Sequence, residues 1–337
     1  MYKVSVIMPI FNGEEYVKNS LNSVINQTIG FENIELIIID DCSTDGTKNI
    51  LKNYSKKYSN INLIFLDKNH GNPGIPRNIG IKSATSEYIM FIDDDDEYLP
   101  EICDKLYNTL ISEDADIVVC NSVYTDNQFD KKCWGLYSDN LYLRGKEIVY
   151  FKNRPIWNCI FKKSIILDNN IDFPYMDLAE DVIFLLNYFI HSNKLIYLND
   201  FVGYHHITRN DSLSYQSADV TIDDIKTSYI LAKILKENKC DLSRYFKHDI
   251  EIFILSAIMY GGRKDEIKKI LSDLSDFERK INFKGNLSID LQVINFFILH
   301  GNLDIATYIC LFISTVRKSN LVSNIYRKFF LKFHEKV

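Results

Sequence analysis

Short β-branched apolar runs alternate with amphipathic segments through the first 121 residues, and this alternation restricts the fold more than any other feature. KVSVIMPI (3–10), ELIIID (35–40), NLIFLD (62–67), EYIMFID (87–93) and ADIVVCN (115–121) each have the length and composition of a buried strand. Between the first two, EEYVKNSLNSVINQ sets Val17, Leu21, Val24 and Ile25 at helical spacing. TDGTKNILKNYSKKY follows Ser43 and opens on Thr and Asp, all suited to capping a helix. A short helix is predicted from about Arg77, and PEICDKLYNTLISED carries Pro100 where a first helical turn tolerates it. Strands separated by helices in this way form βαβ units. The expected fold is α/β, a mostly parallel sheet with helices on both faces, whose ligands bind beyond the carboxyl ends of the strands.

Beyond residue 121 the pattern is less regular. Residues 122–160 mix aromatic and polar types and suggest a hairpin or lid. EDVIFLLNYFIHS (180–192) reads as a helix and KLIYLNDFVGYHH (194–206) as a strand running into a loop. From about Thr221 every periodic segment is helical, so the expected division is a sheet domain over 1–215 and an all-helical region over 216–337. A net charge of −6 argues against a general nucleic-acid binder. The seven cysteines are scattered, odd in number and never spaced as CxxC, which suits reduced thiols and neither a disulfide nor a zinc framework. The chain enters a strand almost at once, and no apolar run reaches the roughly 18 residues of a bilayer span. The expectation is a cytoplasmic protein that touches membranes only at their surface.

FIDDDDEYLP (91–100) brings Asp93, Asp94, Asp95 and Asp96 to the carboxyl edge of the sheet. Adjacent carboxylates repel by a few kcal/mol at about 4 Å and an effective dielectric near 20, so four in a row call for a positive partner. If the segment stays extended, Asp93 and Asp95 face one way and Asp94 and Asp96 the other. Mg²⁺ or Mn²⁺ fits, because such ions take one or two protein carboxylates and complete their shell with diphosphate oxygens and water. Capping of the helix near Pro100 would use one or two of these acids. At the same edge Asp41 could accept the imide N–H of a uracil, or could cap the following helix with its neighbours. GNPGIPRNIG (71–80) contains neither GxGxxG nor a Walker loop, but it sets Arg77 and Asn78 where they could meet a nucleotide. Glu180 and Asp181 open an apolar helix, either as charges favourable to its N-terminus or as a general base for an acceptor hydroxyl. His205 and His206 could add a metal ligand or a phosphate contact, and Arg209 could neutralise a leaving diphosphate.

Taken in order, VSVIMPIFNGEEYV, SVINQT, ELIIIDDCSTDGT, PRNIGI, EYIMFIDDDDEYLP and AEDVIF resemble the family 2 glycosyltransferases over roughly residues 3–215. That resemblance implies a GT-A fold and inverting transfer from a UDP-sugar with a divalent ion at the diphosphate. By position it implies that Pro9 and Asp41 line the nucleobase pocket and that Arg77 contacts the nucleotide. Asp93 and Asp95 fill the DxD motif: Asp93 faces the ribose, Asp95 is the principal metal ligand, and Asp94 and Asp96 lie near the sugar. Asp181 matches the catalytic base, with Glu180 beside it. GNPGIPRNIG with AEDVIF also looks like the wall teichoic acid glycosyltransferases, so a cell-surface glycan, polyol-phosphate or lipid-linked acceptor is expected. One departure is WNCIF, where Cys159 replaces a common lysine.

RKSNLVSNIYRKFFLKFHEKV (317–337) interleaves phenylalanines with cations and could lie on an anionic membrane surface, pack on the helical region, or serve oligomerisation. Two other functions compete. A nucleotidyltransferase would want a glycine-rich basic loop after the first strand, where only Gly13 occurs within residues 1–20. A silent nucleotide-sugar-binding scaffold would keep the sheet but lose Asp95 or Asp181, and both are present.

Overall fold

The computed structural model describes residues 1–125, 131–134, 139–151, 155–176, 179–207, 218–242, 244–246, 249–250, 253–254, 264–281 and 289–318. The chain divides into two compact units, Met1–Asn210 and Asp211–Val337.

In the first unit β1 (Val4–Ile10), β2 (Ile34–Asp40), β3 (Ile61–Phe65) and β4 (Tyr88–Phe91) pair in parallel in the order β3-β2-β1-β4. Every residue of β1 and β2 is buried, because both faces of the sheet are covered. Successive side chains enter opposite cores. Val4, Val6, Met8 and Ile10 pack with α1 (Val17–Ile25), α2 (Thr47–Lys57) and α4 (Ile102–Glu113), whose Leu21, Leu51 and Leu106 share that cluster. Ile7, Ile37 and Ile39 pack on the other side with α3 (Gly74–Ser83) and α6 (Glu180–His191), through Ile81, Phe184 and Tyr188.

α3 begins three residues before the predicted start, and its early Pro76 lies in the first turn, where no amide donor is missed. A Cβ on Gly80 would collide with Ile7, so this glycine lets α3 approach β1 closely. Gly80→Ala is therefore expected to destabilise the protein by about 2 kcal/mol through overpacking, although alanine is the better helix former. Urea unfolding monitored by circular dichroism would check it, and a stabilised variant would contradict the packing account.

Beyond β4 the sheet becomes mixed, with strand order β4-β9-β6-β10-β5. β9 (Cys159–Lys162), a strand absent from the sequence prediction, inserts antiparallel between β4 and β6 (Ile117–Thr125). At four residues it is too short to show a period. Residues 131–134 form β7 (Lys131–Trp134), antiparallel to β6, and β8 (Leu141–Arg144) is antiparallel to β10 (Lys194–Ile207). β10 continues through the predicted loop, with register shifts between Leu198 and Tyr204. Gly203 allows this, since a Cβ there would meet Ile102 and Cys120 at 2.7 and 2.8 Å. The short α5 (Lys163–Asp168) follows β9, and β5 (Glu97–Tyr98) pairs antiparallel with β10.

In the second unit the described elements are helical: α7 (Ala218–Glu237), α8 (Lys264–Ile281), α9 (Ile289–Leu299) and α10 (Leu303–Lys318), with further helical residues within 242–254. Their core includes Leu235, Phe246, Phe253, Leu274, Phe277 and Ile298. No helix among the described residues is long and apolar enough to cross a membrane. Residues 319–337, most of the segment considered for membrane contact, lie outside the described residues, as does Arg209.

Candidate active site

Three loops meet at the carboxyl ends of β1, β2 and β4. The loops after β1 and β2 are tied together by polar side chains: Asn12 N–H donates to Ser43 Oγ at 2.9 Å, Thr44 N–H to Asn12 Oδ1 at 2.8 Å, and Gly13 N–H to Thr47 Oγ1 at 2.9 Å. Asn12 adopts a left-handed backbone, which asparagine tolerates. These ties leave Phe11 on the rim, 44% exposed, directly past the buried Pro9 and Ile10.

Asp40 and Asp41 have separate tasks. Asp40 is fully buried, accepts from the Ser43 amide at 3.2 Å and lies 3.8 Å from Lys48, so it shapes the β2–α2 turn. Asp41 turns toward the loop between β3 and α3. Its Oδ2 accepts from the His70 amide at 2.8 Å and its Oδ1 lies 2.7 Å from His70 Nδ1. Each carboxylate oxygen keeps a second lone pair, so this partner does not block an imide donor.

The four aspartates form a turn rather than an extended segment, because the Asp96 amide donates to Asp93 O at 3.3 Å. The expected alternation of facing directions therefore does not occur. Asp93, Asp94 and Asp95 are half-buried, whereas Asp96 is fully buried. The Asp96 carboxylate is turned onto β10: Tyr204 Oη donates to its Oδ2 at 2.7 Å, His206 Nδ1 lies 3.0 Å from the same oxygen, and the Ile207 amide donates to Oδ1 at 2.8 Å. The placement of Asp96 beside a sugar is thus replaced by a strap between the acid turn and β10. Asp94 packs against Gly13, where any Cβ would strike its carboxylate, and its carbonyl accepts from Ser20 Oγ at 2.8 Å.

Arg77 joins this turn to the head of α6. Its Nη2 donates to Asp93 Oδ1 at 2.8 Å and its Nη1 to Glu180 Oε1 at 2.7 Å. Arg77 is 5% exposed, Glu180 is also buried, and the guanidinium lies 5.5 Å from the Phe173 ring. Burial opposes the Arg77 charge, but Asp93 and then Glu180 outweigh it and hold the group protonated. Its Nε is buried without a hydrogen-bond partner. Asn78 does not face this cleft. Its amide donates to Phe173 O and its oxygen accepts from the Phe173 amide, both at 2.9 Å, so it clamps the loop before α6 and keeps one amide N–H beyond that clamp.

Asp181 follows Glu180 in the first turn of α6, after Ala179 in a left-handed conformation unusual for alanine. Burial pushes the Asp181 carboxyl up to about 7. The neighbouring Glu180 charge adds to the rise, and Arg77 opposes it. A carboxylate poised near neutrality suits a general base.

The two histidines are also distinguished. His205 has its Nε2 2.5 Å from Thr125 Oγ1, and its Nδ1 lies 3.6 Å from Glu97. His206 commits Nδ1 to Asp96 and turns its half-buried Nε2 edge elsewhere. Among the described residues no group of three or more His, Cys, Asp or Glu side chains is assembled to hold a metal.

A family model described as Glycosyl transferase family 2 matches residues 5–169. The cholesterol galactosyltransferase of Borreliella burgdorferi is 32% identical over 316 residues, covering 82% of this chain and 85% of that protein. The chain belongs to glycosyl transferase family 2. The poly(ribitol-phosphate) beta-glucosyltransferase of Bacillus spizizenii is 32% identical over 211 residues, covering 62% of this chain and 33% of that protein. The poly(ribitol-phosphate) beta-N-acetylglucosaminyltransferase TarS of Staphylococcus aureus is 28% identical over 298 residues, 87% of this chain and 48% of TarS. The chain thus spans between a third and a half of the length of these two relatives. The crystal structure of S. aureus TarS 1-349 superimposes with a TM-score of 0.71 at 20% identity, over 91% of this chain and 89% of that one, which shows a shared GT-A-type fold.

Cys159, in the WNCIF segment, is the position at which the sequence resemblance leads to the expectation of a lysine. The structure buries Cys159 completely between β4 and β6, with Sγ 3.3 Å from Asn158 Oδ1, so no charge at this position reaches the cleft. Sequence reasoning missed His70 and Phe11. His70 stands at the head of the 71–80 loop, but its pairing with Asp41 spans 29 residues and leaves no local trace. Phe11 was detectable only as an aromatic directly after a buried strand.

Proposed function

We propose that this chain is an inverting glycosyltransferase that moves a sugar from a UDP-sugar to a hydroxyl of a polyol-phosphate, cell-surface glycan or lipid-linked acceptor. One observation carries the reading. Asp181, with its pKa at about 7, stands at the head of α6, and Glu180, Arg77 and Asp93 link that head to the acid turn at the carboxyl edge of the sheet. A base and a diphosphate-binding turn held in one rigid frame is what displacement at an anomeric carbon requires. The named activities of the poly(ribitol-phosphate) transferases and the cholesterol galactosyltransferase support the same class of reaction.

In this mechanism Asp41 accepts the uracil imide while the exposed Phe11 ring covers the base and Pro9 shapes the floor. Asp93 shares its carboxylate between Arg77 and the ribose. Asp181 takes the proton of the acceptor hydroxyl as that oxygen attacks the anomeric carbon opposite the leaving UDP. Glu180 stays paired with Arg77, keeps the α6 head in place and raises the basicity of Asp181 by its charge.

A divalent ion, Mn²⁺ or Mg²⁺, fits the donors present. Asp95 offers hard oxygen, and His206 has Nδ1 anchored on a carboxylate, the arrangement that orients a metal-ligating imidazole. His206, rather than His205, whose Nε2 is taken up by Thr125, would be the second ligand, and diphosphate oxygens with water would complete the shell. Such an ion would neutralise charge on the departing diphosphate. A Mannosyltransferase PcManGT from Pyrobaculum calidifontis, which shares the fold with a TM-score of 0.54 at 15% identity over 94% of this chain and 86% of that one, is described in complex with GDP-Man and Mn²⁺. The expected result is calorimetric binding of UDP or one UDP-sugar in Mn²⁺ that weakens at least tenfold with chelator or in Asp95→Ala. A folded protein that binds no uridine nucleotide under any of these conditions would defeat the reading. We further propose that the protein works at the inner face of the cell membrane, with the helical unit serving acceptor, surface or oligomer contacts.

A further inference from the structure

Trp157 lies in the turn before β9, and that turn is fixed on β6. Asn158 Nδ2 donates to Cys120 O at 2.7 Å, and the Cys120 amide donates back to Asn158 O at 3.0 Å. The indole is half-buried and stacks on two residues of β10 at once: on Tyr204 at 4.0 Å and 17°, and on His206 at 5.9 Å and 7°. Residues two apart on a strand share a face, so a flat side chain of indole length spans both rings where a phenyl ring covers one. Tyr204 and His206 are also the two side chains that meet the Asp96 carboxylate. The His206 ring is therefore held along one edge by Asp96 and across its face by Trp157. Fixing both leaves the imidazole no freedom about its terminal torsion, and the direction of Nε2 follows. Core packing alone would not explain why a half-exposed histidine is restrained in two perpendicular ways.

We infer that Trp157 is a positioning residue for the diphosphate end of the donor site: its indole fixes the ring plane of His206 so that Nε2 is preset for a divalent cation. The inference rests on the reading of His206 as a ligand. It gives the WN pair of the WNCIF segment a task, Asn158 anchoring the turn and Trp157 aiming the imidazole.

The test uses the full chain and follows Mn²⁺ binding in saturating UDP by electron paramagnetic resonance of free Mn²⁺. Trp157→Leu is expected to weaken Mn²⁺ binding about tenfold, within the range for partners that orient metal ligands. Trp157→Phe is expected to recover most of that loss, to within about threefold of wild type. UDP binding in chelator should be the same in all three proteins. His206→Gln separates the two layers. If it leaves Mn²⁺ affinity unchanged, the ligand reading itself fails. If it loses Mn²⁺ while folded Trp157→Leu binds as wild type does, only the positioning role is overturned. A second measurement keeps Trp157 intact in case the leucine variant does not fold. The sequence has two tryptophans, so Trp134→Phe leaves Trp157 as the single emitter. Its fluorescence should be quenched by paramagnetic Mn²⁺ with UDP and should not change with UDP in chelator. Unchanged emission with bound Mn²⁺ and UDP would overturn the inference.

Discussion

Asp181→Asn is expected to lower kcat by about 10²- to 10⁴-fold while leaving UDP-sugar affinity within about threefold of wild type. The amide keeps the size and the local contact with the Val182 amide, which donates to Asp181 Oδ1 at 2.7 Å, but it cannot take a proton. Because burial raises the Asp181 carboxyl to about 7, the wild-type kcat/KM should fall about tenfold per pH unit on the acid side of that value. The same shift fixes a stability effect of opposite sense. A carboxyl whose folded pKa lies above its ordinary 3.8 binds its proton more tightly in the folded state. Its contribution to stability is fully present below about 4 and is lost as pH rises through about 7. At pH 8 Asp181→Asn should then be the more stable protein, by on the order of 2 kcal/mol. An inactive variant that melts above wild type at pH 8, but not at pH 4, is the combined signature. A variant that is inactive and less stable at both values would assign Asp181 to structure.

Arg77→Met is expected to have the largest effect on stability. Arg77 pairs with two carboxylates, Asp93 and Glu180, and it is itself buried. Removing it leaves uncompensated charge beside Asp181, at a cost of about 3–5 kcal/mol. Arg77→Lys keeps the charge but cannot reach both carboxylates with a planar fork, so about 1–2 kcal/mol should be lost. Because Arg77 lowers the Asp181 pKa against the effect of burial, the lysine variant should also move the acid limb of its pH–rate profile upward. Thermal unfolding and the pH profile of Arg77→Lys check both halves. An unshifted profile with normal stability would remove Arg77 from the frame that joins the turn to α6.

The residues that could be placed from the sequence are those governed by local periodicity. β1, β2 and α1 were readable because buried parallel strands and amphipathic helices write their packing into consecutive residues. β9 was not, since four residues inserted between two distant strands carry no period of their own. The acid turn shows the same divide. Four aspartates marked the edge of the sheet, but the different fate of Asp96 depends on Tyr204, His206 and Ile207, more than 100 residues away. Asn78 and Arg77 are neighbours in sequence, yet Arg77 pairs with the carboxylates of Asp93 and Glu180 whereas Asn78 binds the Phe173 backbone, a division that no local pattern reveals. The pairing of Arg77 with Glu180 spans 103 residues, and only the folded sheet brings these motifs into one frame.

The central claim is sugar transfer with inversion from a UDP-sugar to an acceptor hydroxyl. It is tested most directly by incubating the protein with Mn²⁺, a panel of UDP-sugars and poly(ribitol phosphate), and reading the product by proton NMR. The account predicts release of UDP and a new β-linked sugar on the polymer from an α-configured donor, absent in Asp181→Asn. An α-linked product from that donor, or equal transfer by Asp181→Asn, would contradict it.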